Sequence, residues 1–299
     1  MLKVKTKARW RYFRPRTRGR LSDITAYEPE SIYAEARLIA QEFYHRARPR
    51  IGRTRNVYRT TGEAVRMLRA HQPSDPKHLL ALLILQSPNA ARAQHDLDEH
   101  HGGYRNREAR VFELIDFNDT FVSTVLALSP EERRDFTGRA KDELDYFCEQ
   151  LHIKNFSDQQ YEAIWHGLSR EIAVFLAAKE IGYIVHMSSR VQDSMGIDMT
   201  ITDAEAKRAI NIDVKTHSAY HFRLLELYEQ QRISEEKRLQ CELSGYCESK
   251  NGHGDQAVTT VLFRIATDRL GEIDNFAFKD IGPVASLIAA AIHDYGHNI

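Results

Sequence analysis

The sequence predicts an α/β fold built on a mixed sheet and preceded by a mainly helical region. Three observations carry this. Up to about residue 156, apolar residues recur at helical spacing. Beyond it, short β-rich stretches alternate with helical ones. Their order is helix, three strands, helix, strand, helix, and sequential strands followed by a crossover helix imply a mixed sheet covered on its faces.

The chain begins with a basic arm, residues 1–25, expected to be flexible. Residues 1–60 carry 16 Lys/Arg against 5 Asp/Glu, a local +11 in a chain whose formal net charge is zero. The first twenty residues hold nine Lys/Arg and no acid. Such an arm suits a polyanion, and phosphate contacts need no base reading. Trp10, Tyr12 and Phe13 interleave with Arg9, Arg11 and Arg14, a mix that stacks bases and binds phosphates or else packs on the parent domain.

Residues 26–156 read as a helical region of unassigned role. Ile32, Tyr33, Ala36, Ile39, Ala40 and Phe43 mark a first helix. Further helices are expected from Pro76 to His95 with a break near Pro88, and from Glu108 to Leu128. Ser129-Pro130-Glu131-Glu132 is a capping-box start for a helix reaching about Leu151. In the third segment, 157–299, Ser157 to Gln160 opens another helix, which Gly182 ends. Strands follow at Tyr183–Met187, Ile197–Thr202 and Ala209–Thr216. Next come a helix at Tyr220–Leu239, a strand at Ala257–Ala266 and a helix at Pro283–Tyr295.

No apolar run approaches the length of a membrane span; the longest is Leu79 to Leu85. The N-terminus lacks an apolar signal core. Three cysteines argue against a disulfide framework and fit a reducing compartment, so a cytoplasmic location is expected.

Candidate chemistry lies in Gly196-Ile197-Asp198 and, fifteen positions after Asp198, Asp213-Val214-Lys215. An acid-x-Lys triplet alone is weak evidence. Five occur here, beginning at Asp75, Glu205, Asp213, Glu235 and Glu248, and only the one at Asp213 reads as lying in a strand. There, alternation sends Asn211, Asp213 and Lys215 to one face and Ile210, Ile212 and Val214 to the other. In the preceding strand Asp198, Thr200 and Thr202 share a face opposite Ile197, Met199 and Ile201. Pairing these strands lets Asp198 and Asp213 converge while their apolar neighbours build the core. Glu171 falls within the apolar stripe of its helix with Leu168 and Phe175, which is costly unless it is paired or binds metal. Pairing with Arg170 or Lys215 is the structural alternative.

This arrangement resembles the PD-(D/E)XK nuclease superfamily over residues 157–299, about half the chain. The resemblance implies a restriction-endonuclease-like core with its first acid at Asp198, its second at Asp213, its lysine at Lys215 and its helix acid at Glu171. Gly196-Ile197 stands where the family name has proline. It further implies Mg²⁺, with Mn²⁺ able to substitute, held by Asp198, Asp213, the carbonyl of Val214 and Glu171. Lys215 would orient or help deprotonate the attacking water and offset charge. The expected activity is hydrolysis of phosphodiester bonds, with DNA favoured over RNA and endonucleolytic cleavage favoured. No membrane partner is expected, and the oligomeric state is open, a dimer included. The alternatives are an RNA-directed or exonucleolytic member, or a binding protein with an inactive nuclease fold.

Two weaker signals remain. Cys241, Cys247 and His253 form a Cys-x5-Cys-x5-His series in an expected loop, looser than a zinc site requires. His95, His100 and His101, among Asp96, Asp98 and Glu99, read as a solvated helix end.

Overall fold

The computed structural model describes residues 31–48, 56–99, 108–251 and 258–299. The basic arm with Trp10, Tyr12 and Phe13, together with His100, His101, His253 and Ala257, lies outside them. Residues 32–299 cluster as one compact unit.

Six helices come first: α1 (Ile32–Ala47), α2 (Val57–Arg69), α3 (Pro76–Glu99), α4 (Glu108–Ala127), α5 (Pro130–Arg133) and α6 (Phe136–Gln150). Asn56 caps α2 by accepting from Arg59 N, a helix not expected from the sequence. The break anticipated at Pro88 does not occur. Pro88 has no N–H for the Ile84 carbonyl, and the Ser87 hydroxyl donates to that carbonyl instead, at 2.9 Å. The single helix expected from Pro130 to Leu151 is two, because the chain turns at Arg134–Asp135 and buries Phe136 completely. The Ser129 capping box is present.

The second half begins with α7 (Asp158–Glu180), started by the Ser157–Gln160 capping box. Gly182, at φ +98°, takes the left-handed conformation that turns the chain into β1 (Ile184–Met187). Next come α8 (Arg190–Ser194), β2 (Met199–Asp203), β3 (Arg208–Lys215), α9 (His217–Glu229), α10 (Glu235–Ser244), β4 (Tyr246–Asn251) and β5 (Val258–Arg264). The chain ends with α11 (Thr267–Leu270), β6 (Ile273–Asp274), β7 (Ala277–Phe278), α12 (Gly282–Tyr295) and β8 (His297–Asn298).

The sheet order is β1-β2-β3-β5-β4, with β8 pairing the start of β3. β3 and β5 are parallel and the other pairs antiparallel, so the sheet is mixed. β6 and β7 pair separately.

Three expectations are corrected here. The helix predicted over Tyr220–Leu239 divides, because Gln231 adopts φ +56° and Ser234 caps a new helix at Lys237 N. β4 was not anticipated, and it places Cys247 in a strand and Cys241 in α10 rather than both in a loop. The two cysteines are joined as a disulfide. β4 also contains Glu248-Ser249-Lys250, so the triplet at Asp213 is not alone in lying on a strand. Glu248 and Lys250 are exposed, whereas Asp213 is buried.

One sheet face carries Ile210, Ile212, Val261 and Phe263 against α7 and α12. On the other, Leu262 and Cys247 pack beneath Tyr220, Leu224 and Leu227 of α9 and Cys241 of α10. α7 joins two cores: Leu168 and Ile172 pack with the N-terminal helices, Ala173 to Ala178 with the sheet. Among the described residues no helix is long and apolar enough to cross a membrane.

Candidate active site

Asp213 lies near the end of β3, the strand between β2 and β5. Asp198 immediately precedes β2 rather than lying within it. Gly196, at φ +76°, turns the chain out of α8 toward it. Asp198 N donates to Ile212 O at 2.8 Å and Ser188 N donates to Asp198 O at 3.0 Å, so the segment is held like a strand extension. Met199 pairs with Ile212. Continuing that antiparallel register by one residue sets Asp198 beside Asp213. The same face continues as Thr200 beside Asn211, joined by a hydroxyl-to-amide-oxygen bond of 2.9 Å. The predicted alternation is therefore the one observed.

The side chains engage one another. Val214 N donates to Asp198 Oδ2 at 2.6 Å. Lys215 Nζ forms an ion pair with Asp213 Oδ1, an enclosed oxygen. Glu171 reaches the cluster from α7.

Two acids that sequence reasoning did not select join them: Asp193 on α8 and Asp119 on α4 both act electrostatically on Glu171. The signals for them are faint. Asp193 follows a Ser189–Gln192 capping box, and Asp119 is a half-buried acid between Phe117 and Phe121.

Crowding shows in the acidities. Burial, then the Asp213 carboxylate, pushes Asp198 up to about 7, against Lys215 and the Val214 N–H. Burial also raises Glu171 well above the usual carboxylate range, with Asp198, Asp193 and Asp119 adding to it. Burial raises Asp193, which Lys215 opposes and Asp213 reinforces. Asp213 is raised by burial against the pull of Lys215 and Arg223. Burial works to discharge Lys215, but Asp213 and Asp198 outweigh it and raise its pKa. The result is one ammonium among carboxyls that resist ionising together.

As placed, no three His, Cys, Asp or Glu side chains among the described residues form a group that could hold a metal ion. The donor chemistry nevertheless fits a hard divalent cation. The donors are oxygens, they are enclosed, and added positive charge would relieve the repulsion that raises them.

The weaker signals resolve differently. His95 bonds to Asn155 O at 3.0 Å and to the Gln160 amide at 3.2 Å, fastening α3 to the start of α7.

No protein-family model matches the chain, no curated protein matches it, and no solved structure matches it. Side-chain arrangement alone therefore carries the functional reading.

Proposed function

We propose that the chain is a metal-dependent nuclease with a restriction-endonuclease-like core of the PD-(D/E)XK type, hydrolysing phosphodiester bonds and most suited to cutting within DNA. The observation that carries this reading is the meeting of Asp198, Asp213 and Lys215 at the end of a central strand, with Glu171 arriving from the preceding helix.

Asp198, Asp213, the Val214 carbonyl and Glu171 would hold Mg²⁺, or Mn²⁺ in its place. The cation would polarise the phosphate and make a bound water a stronger nucleophile. The protein's own groups do the rest. The Val214 N–H fixes the Asp198 carboxylate, leaving its other oxygen for a ligand. Lys215, kept charged by its acidic neighbours, donates to the water or the phosphate and offsets negative charge as it builds. In this arrangement it orients the water rather than deprotonating it. Burial around Asp213 keeps competing water away and strengthens these interactions.

A second reading has an observation of its own. Lys215 closes on Asp213 and satisfies much of the site without a cation, as a nucleic-acid-binding protein with an inactive nuclease fold would. One assay separates them: purified protein with Mg²⁺ or Mn²⁺ against supercoiled, linear and single-stranded DNA and against RNA. Under the nuclease reading the wild type cleaves, and Asp213→Ala abolishes cleavage with the circular dichroism unchanged. Lys215→Ala lowers the rate by about 10²-fold or more while calorimetric metal binding persists. Equal cleavage by folded Asp213→Ala would place the active site elsewhere.

A further inference from the structure

A groove adjoins Lys215. Its walls are Arg170, His217, the link Ile265–Ala266 and the start of α11, Thr267 and Asp268. Three links tie it to the acid cluster. Arg170 precedes Glu171 on α7, His217 lies two residues after Lys215, and Ile265 N donates to Lys215 O at 2.9 Å. These links put the groove next to the end of β3 that carries Lys215.

The groove's chemistry is that of an anion site. Arg170 is half-buried, and among the described residues it pairs with no carboxylate. Its guanidinium donates to the His166 carbonyl one turn back in its own helix. Other arginines, such as Arg37, Arg69, Arg92 and Arg238, instead hold carboxylates. A guanidinium held partly out of water, with no counter-ion among the described residues, leaves most of its five donors for an anion with oxygens in a plane or fork.

His217 is the first residue of α9. Its ring lies edge-on to His221, with centroids 4.4 Å apart, and the helix end adds positive potential. The acid in the lining, Asp268, is exposed at the rim, where solvent and salt screen it.

We propose that this groove binds a backbone phosphate of duplex DNA neighbouring the one at Lys215, with Arg170 as its main ligand and His217 as a second donor. The assignment rests on the nuclease reading in that it takes the strand to run past the Asp198–Asp213 site. It makes Arg170 and His217 positioning residues, which fix where along the strand the scissile bond lies.

The test is fluorescence anisotropy with a labelled DNA duplex of about two helical turns, in EDTA so that cleavage plays no part. Arg170→Ala weakens binding several-fold and makes the plot of log affinity against log salt shallower by about one. Arg170→Lys restores most of both, and His217→Ala weakens binding to a smaller degree. Lys279→Ala removes the same charge from the exposed pair with Glu272 and leaves affinity and slope unchanged.

Wild-type affinity and slope in folded Arg170→Ala would overturn the assignment, as would an equal loss in Lys279→Ala. Should Arg170→Ala fail to fold, Arg170→Gln and His217→Ala carry the same comparison. Cleavage is scored separately with Mg²⁺. A wild type that cleaves while Arg170→Ala binds normally overturns the groove and leaves the nuclease. A wild type that binds through Arg170 yet never cleaves overturns the nuclease and leaves the groove as a phosphate site.

Discussion

Asp198 is where site chemistry and stability oppose each other. Its folded-state pKa of about 7 lies above the ordinary 3.8. Between those values the folded chain keeps a proton that the unfolded chain has released. The corresponding stability is present below the lower value and is lost as pH rises through the higher one. The groups acting on it are Asp213, Lys215, the Val214 N–H and Asp193, and it acts in turn on Glu171 of α7. Metal-free protein should therefore melt lower at pH 8 than at pH 5. Asp198→Asn should flatten that dependence and raise the pH 8 melting temperature by about 3 °C, while Mg²⁺ stabilises the wild type and not the variant. A variant that keeps the full wild-type pH dependence would show that the strain lies in other groups. At this scale the sequence was informative wherever alternation rules. Two residues apart on a strand means one face, so Asp213 and Lys215 could be set together from spacing, and Asp198 with them once its strand was taken to pair with theirs. Asp119 and Asp193 could not, because they arrive only through the packing of α4 against both α7 and α8. Nor could spacing distinguish Glu248-Ser249-Lys250 from Asp213-Val214-Lys215, since what separates them is burial.

The elements follow their local signals where those signals are complete. Ser157 Oγ accepts from Gln160 N to cap α7, and Ser157 N–H donates in return to Gln160 Oε1. Ser157→Ala should cost about 1 kcal/mol and lower the melting temperature by about 2–4 °C. Cleavage should be unchanged, because Glu171 sits well along the same helix. Loss of cleavage at full folding would mean that the cap positions Glu171. Ser234-Glu235-Glu236 carried a start signal too, a capping hydroxyl with acids in the first turn. It went unread because the apolar spacing runs straight through it. β4 was illegible for another reason. Its buried positions are Cys247 and Ser249, small and partly polar, so the alternation that marks a half-buried strand has no apolar contrast. The disulfide between α10 and β4 was hidden along with it, since neither element's boundary was known.

At the scale of the molecule, the change of pattern near residue 156 marks where helices give way to strands. It does not mark where the apolar interior divides. α7 supplies Leu168 and Ile172 to one core and Ala173 to Ala178 to the other. Phe276, from the turn between β6 and β7, lies 6.1 Å from both Phe121 and Phe136 and is almost wholly buried among the N-terminal helices. The helical half is thus packed against the element that carries Glu171, and its α4 adds Asp119 to the charges around the site. Such sharing predicts coupled unfolding. Phe276→Ala removes a large side chain from that junction and should cost about 3–5 kcal/mol. Calorimetry should show the whole transition moving down as a single peak, because the cavity opens between elements that neither core can spare. Glu171 should feel the same loosening, so the variant's cleavage should fall at temperatures where wild type and variant are both still folded. Two separate transitions, of which only one responds to Phe276→Ala, would show that the halves fold independently and that α7 is a tether rather than a shared wall.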